Sequence, residues 1–186
     1  MARIPYPHNL AVREALADLP VILNVFKMIA HAPAAVRPTV DLGLALLSGT
    51  ALDARLREAV ILATATRAGC TYEWVQHEPI AARSGLSVQQ IAFLKEGAVQ
   101  VPGLTQCEET CLRAVSELSS KNSVDEETLS LLRRQLSDRQ IIELLMTVGY
   151  YTLLANVLNS LDVEADQSSS AIIAAIESNR RSNDDL

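Results

Sequence analysis

Apolar residues recur along this chain at helical spacing, and no stretch alternates with period two for long enough to predict a strand. Helix starts are marked by four capping-box spacings: Ser87 with Gln90, Thr105 with Glu108, Ser123 with Glu126, and Ser137 with Gln140. Stop signals lie between them at Gly85, Gly97 and Pro102-Gly103, so these helices are short to medium. Upstream, Leu10 to Ile29 has helical composition interrupted at Pro20, Pro33 and Pro38 break the chain again, and Thr39 to Leu47 predicts another helix. From Leu52 to Thr66, Leu52, Leu56, Ala59, Val60 and Ala63 form an inner face, with Asp53, Arg55 and Arg57 expected outside.

The run from Ile141 to Leu158 is about as long as a bilayer-spanning helix. It contains Glu143, Thr147, Gly149, Tyr150, Tyr151, Thr152 and Asn156 and lacks flanking Lys/Arg clusters, so it predicts a helix buried in a core or subunit interface, with no membrane span. Carried on to Leu161, it is apolar on more faces than a monomer covers easily, which predicts a homo-oligomer. After Asp166 one short helix at Ala171 to Ile176 is expected, followed by a polar tail. The expected organisation is one all-α domain over residues 1–165, with residues 166–186 appended as that helix and tail.

Composition sharpens this picture in two respects. Hydrophobic residues make up 49% of the 186 positions but aromatics only 4%, so the interior must be built from Ala, Leu, Val and Ile. A formal charge of -6 with scattered Lys and Arg leaves no basic patch for phosphates, and nucleic acid is not an expected partner. The opening MARIPYPHNL forms no signal-peptide core, and an odd set of three cysteines argues against a disulfide framework, so a cytoplasmic location is expected.

The chemistry concentrates between Arg55 and His77. Gly69 separates two helical patterns, which puts Cys70 at or just before the first turn of the second. Cys70, Glu73 and His77 then fall at i, i+3 and i+7, placing a thiol, a carboxylate and an imidazole on one face. A thiol at a helix N-terminus near a histidine is expected to have a depressed pKa. Glu73 or Glu58, walled off by Trp74 and the apolar residues around Val60, is expected to move upward and hold a proton near neutrality. Cys107 and Cys111, spaced i, i+4 elsewhere, read as packing residues. The spacing of Glu58, Cys70 and His77 matches no specific metal pattern, and no metal is expected.

The run LDARLREAVILATATRAGCTYEWVQHEPIAARSGLSVQQIAFLKEG, residues 52–97, resembles the core domain of the carboxymuconolactone decarboxylase and alkylhydroperoxidase AhpD-like superfamily. LSDRQIIELLMTVGYYTLLANVLNSLDVE is similar to the closing helix of many members. The resemblance implies an AhpD-like helical bundle assembled as trimers or dimers of trimers. In the peroxidase branch a glutamate relays protons to a Cys-x-x-Cys-x-x-x-His motif. Glu58 matches that glutamate, Cys70 the first cysteine and His77 the histidine, while Glu73 stands where the second cysteine would be, so the intramolecular disulfide of that branch cannot form. The decarboxylase branch lacks the cysteines and relies on acid–base groups around the histidine.

The function expected first is therefore a cofactor-independent lyase or isomerase acting on a small, oxygenated, carboxylated metabolite. His77 would be its general acid/base, Glu58 and Glu73 would orient and tune it, and Cys70, Tyr72 and Trp74 would line the pocket. Two alternatives stand beside it: a peroxidase in which Cys70 attacks a peroxide and an external thiol resolves the sulfenic acid, and a non-catalytic oligomeric protein that binds a ligand or a protein partner.

Overall fold

In the computed structural model, residues 2–20, 22–167 and 169–184 are described, the side chains of Ala171 and of residues 179–184 excepted; Asp185 and Leu186 of the expected tail lie outside them. Among these residues there are ten helices and no strand: α1 (Leu10–Ala17), α2 (Asn24–Ile29), α3 (Pro33–Ser48), α4 (Ala54–Arg67), α5 (Thr71–Arg83), α6 (Val88–Lys95), α7 (Gln106–Lys121), α8 (Glu126–Gln135), α9 (Asp138–Leu161) and α10 (Ser170–Asp184). The all-α expectation holds.

Helix starts follow local chemistry at three of the four expected places. Ser87, Thr105 and Ser137 each cap their helix, with Gln90, Glu108 and Gln140 reaching back to the cap residue. The fourth differs, because α8 begins after Asp125 rather than at Ser123. Glu117 of α7 accepts from the Asp125 amide at 2.8 Å and from the Thr128 hydroxyl at 2.7 Å, so a neighbouring helix satisfies this start. Pro20 falls in the break between α1 and α2. Pro38 does not break the chain as expected. Pro33 starts α3 and Pro38 lies within it, on an exposed face where the Ala34 carbonyl it deprives of a partner is open to water.

At the centre is α4, which packs against α5, α6, α7 and α9. All ten residues from Leu56 to Ala65 are buried, including Arg57 and Glu58. The expected amphipathic pattern is thus wrong for Arg57, because α4 is enclosed on every side and has no solvent face along that stretch.

Two apolar clusters meet across α4. One joins Leu62, Trp74, Leu94, Val115, Leu132 and Leu144, and the other joins Phe26, Leu47, Ile61, Tyr151, Leu154 and Ile176. The second is closed by α10, which packs on α3 and runs well past the expected Ala171–Ile176 helix. Its residues Ile172, Ala175 and Ile176, within the expected short helix, are buried in that cluster.

Helix α9 is long and apolar enough to cross a membrane, yet 56% of its most apolar window is buried inside the fold, as in the core helix of a bundle. One stripe of it is uncovered: Ile142, Met146 and Leu153 are exposed and follow one another at helical spacing, with Gly149 between them opening onto free space.

Candidate active site

The turn between α4 and α5 sets the geometry. Gly69 takes a positive φ of 61°, a conformation that a side chain would penalise, and the chain reverses so that α5 lies against α4. Cys70 is the N-cap of α5, as its position after Gly69 predicts. Glu58 on α4 then faces His77 on α5, with His77 Nδ1 2.9 Å from Glu58 Oε2. Glu58 is 0% exposed and His77 2%.

A carboxylate in that position accepts, so Nδ1 carries a hydrogen and Nε2 is the nitrogen left to exchange a proton. Nε2 lies 3.9 Å from Glu73 Oε2, one helical turn back on α5. Arg57 completes the row: its Nε and Nη2 both lie 3.3 Å from Glu58 Oε1, giving the buried carboxylate a cationic partner in an apolar surround. The order is Arg57, Glu58, His77, Glu73.

This row ends at a cavity of about 50 Å³, room for more than one water molecule. Glu73, Gln76, His77, Tyr72, Tyr150 and Tyr151 contribute its polar and aromatic wall. Leu23, Phe26, Leu47 and Leu154 form much of the apolar wall, and Ile172 and Ala175 of α10 add to the enclosure. Burial pushes the Glu73 carboxyl up to about 7, against a smaller downward pull from His77. That upward direction is the one expected from sequence, although Trp74 is not its cause.

Tyr151 stacks edge-on against His77, with ring centroids 5.0 Å apart. Burial and the nearby Glu73 and Glu58 charges hold its hydroxyl far above the usual tyrosine range, so it is a hydrogen-bond donor. Tyr72 donates to the Asp166 carboxylate, and the Gln76 amide nitrogen donates to the Asp166 backbone carbonyl at 2.9 Å. Asp166 also accepts from the Asn24 amide, tying the segment before α10 to the start of α2.

Of the expected site residues, Glu58, Glu73, His77 and Tyr72 come together here. Trp74 does not. It points into the opposite cluster with Leu94 and Val115, and Lys95 Nζ lies 5.6 Å from its ring centre. Residues 73 and 77 share one face of α5 and residue 74 lies a hundred degrees round from the first, so one helix sends these side chains to different cores.

Cys70 is buried beside Ile61 and Tyr72 but does not line the cavity. The expected thiol depression is reversed: burial pushes Cys70 up to about 11, outweighing the downward pull of the Glu73 and Tyr72 amides at the start of α5. Cys107 and Cys111 lie on α7, in the cluster on the other side of α4. Among the described residues no three His, Cys, Asp or Glu side chains are placed to hold a metal ion. Sequence reasoning missed Arg57, Gln76, Tyr151 and Asp166 as members of the site. The one usable signal was the Tyr150-Tyr151 pair set in an otherwise aliphatic helix.

Comparison with known proteins converges on one grouping. Residues 33–117 match the model of the Carboxymuconolactone decarboxylase family. The fold is similar to the alkylhydroperoxidase AhpD core of an uncharacterised peroxidase-related protein from Ralstonia eutropha JMP134, with a TM-score of 0.75, 18% identity, and 89% of this chain and 93% of that one covered. An AhpD-type protein of unknown function from Agrobacterium tumefaciens superposes with a TM-score of 0.67 at 18% identity, covering 74% of this chain and 94% of that one. The debrominase Bmp8, in a complex with 2,3,4-tribromopyrrole, gives a TM-score of 0.69 at 17% identity with 89% of each chain covered. No curated protein matches in sequence.

Proposed function

Because this chain belongs to the carboxymuconolactone decarboxylase and AhpD-like superfamily, we propose that its buried carboxylate–imidazole row runs cofactor-independent acid–base chemistry, as a lyase or isomerase, on a small oxygenated metabolite. The observation that carries this reading is His77 in the cavity wall, its Nδ1 held by Glu58 and its Nε2 3.9 Å from a Glu73 carboxyl raised to about 7.

In this reaction the unprotonated Nε2 removes a proton from a carbon next to a carbonyl. The bonding electrons move onto the carbonyl oxygen, where the Tyr151 hydroxyl donates to the developing charge. The positive charge formed on His77 is met by Glu58, and the proton returns to carbon from His77 or from protonated Glu73. Arg57 and Glu58 are positioning residues that hold the ring and its tautomer.

A thiol peroxidase needs a thiolate within reach of the peroxide. Cys70 is a buried thiol outside the cavity wall, with its ionisation pushed up to about 11, so the acid–base reading is favoured over the thiol one.

The test is solvent deuterium exchange into a panel of small carbonyl and hydroxycarbonyl compounds, followed by proton NMR. His77→Ala is expected to slow exchange by at least about a hundredfold, and Tyr151→Phe by roughly tenfold. Equal rates in wild type and His77→Ala would remove the proposal. The free state of all three cysteines fits a cytoplasmic protein.

A homo-oligomer, trimeric or hexameric, is part of the same proposal, with the Ile142, Met146 and Leu153 stripe of α9 as the covered face. Ile142→Glu with Leu153→Glu is expected to reduce the mass in light scattering to that of the single chain. A wild-type protein that is already monomeric at micromolar concentration would refute it.

A further inference from the structure

Resting on the acid–base reading, we infer that the substrate of this cavity is a small neutral molecule carrying an O–H or N–H donor, and that a carboxylate is excluded. The polar atoms of the wall decide this.

Among the described residues lining the cavity there is no Lys or Arg. Arg57, the cation of the catalytic row, lines a separate cavity with Arg83 and is already paired with Glu58. A carboxylate entering beside Glu73 would meet like charge and low polarity with no counter-ion, and both effects penalise it. Two acceptors, in contrast, are buried without a partner: Glu73 Oε1 and Gln76 Oε1. The orientation of the Gln76 amide is set by its own bond, because its nitrogen must donate to the Asp166 carbonyl and the oxygen is therefore the end left over.

Unpaired buried acceptors are costly, and a ligand donor removes that cost. The remaining lining is aliphatic and aromatic, from Leu23, Phe26, Leu47 and Leu154. The ligand that matches is a compact apolar body with a hydroxyl, enol or N–H edge directed at Glu73 and Gln76, and a carbonyl oxygen within reach of Tyr151. With no carboxylate to lose, the chemistry at this site is proton relocation within such a molecule. The carboxylated substrate expected from the family resemblance is not matched by this wall.

The test uses the full chain and three probes of similar size: hydroxyacetone, which is neutral with a donor; butanone, which is neutral without one; and lactate, which is anionic. Binding is followed through amide shifts in two-dimensional NMR near pH 7.5. Hydroxyacetone is expected to bind several-fold more tightly than butanone and at least about tenfold more tightly than lactate.

In Gln76→Leu the preference for hydroxyacetone over butanone should shrink toward unity. If that variant is unfolded by circular dichroism, Glu73→Gln, which keeps shape and replaces the charge, serves instead and should narrow the gap against lactate. Lactate binding as well as hydroxyacetone, or no probe perturbing the cavity amides at millimolar concentration, would overturn the inference. Because ligand ranking requires no turnover, its failure is separate from failure of the exchange test on His77.

Discussion

Glu58→Ala is expected to destabilise the fold by about 3–5 kcal/mol, the range seen when one member of a buried ion pair is removed. Glu58 is fully enclosed and serves two neighbours at once, accepting from Arg57 through one oxygen and from His77 through the other. Its loss strands a guanidinium that is 3% exposed in the first turn of α4 and leaves the imidazole N–H without an acceptor. Truncating the pair together should be far milder, since Arg57→Met with Glu58→Leu leaves no uncompensated charge and keeps much of the volume. Urea denaturation of the single and double variants checks both statements. A loss below about 1 kcal/mol for Glu58→Ala would mean that the pair is not the anchor of the site.

The second large effect is a dependence of stability on pH that traces to one side chain. Burial raises the Glu73 carboxyl from its ordinary 4.5 to about 7 in the folded chain. Between those values the unfolded chain has released its proton while the folded one retains it, so ionisation works against the fold. The stabilisation is fully present below about 4.5 and is lost as pH rises through about 7. Converted at the usual rate per unit, the loss is on the order of 3 kcal/mol. Denaturant titrations at pH 5 and pH 8 should show wild type weakening across the interval, while Glu73→Gln, neutral throughout, weakens far less. An equal slope in the variant would place the proton elsewhere. The same carboxyl, half protonated near neutrality, can both give and take a proton.

What could be read from the sequence follows the range of the interactions involved. Caps at Ser87, Thr105 and Ser137 and the Gly69 turn depend on residues within a few positions of one another, and they occur where expected. So does the pairing of Glu73 and His77 on one face of α5 next to Glu58, although Cys70, the third member of that expected face, stays outside the cavity wall. Several features that were not legible depend on partners outside their own element. Glu117 starts α8 from across a loop, and α4 is enclosed by four other helices, which buries Arg57. Tyr151 reaches His77 from 74 positions away along the chain. The thiol of Cys70 shows the same limit: its place at a helix start is local, but the burial that sets its ionisation comes from the surrounding cluster.

The cavity is built from two sources of unequal heritage. Glu58, Glu73 and His77 lie within residues 33–117, the stretch that carries the family signature, as do Gly43 and Leu47. Leu23 and Phe26 come before that stretch, and Tyr151, Leu154, Ile172 and Ala175 come after it. The matched stretch thus carries Tyr72, Glu73, Gln76 and His77 of the wall, while the outer pieces add Tyr150, Tyr151 and much of the apolar lining. Change in the outer pieces would reshape the wall while leaving the Glu58, His77 and Glu73 arrangement in place, so likeness over residues 33–117 says more about that arrangement than about what the cavity admits.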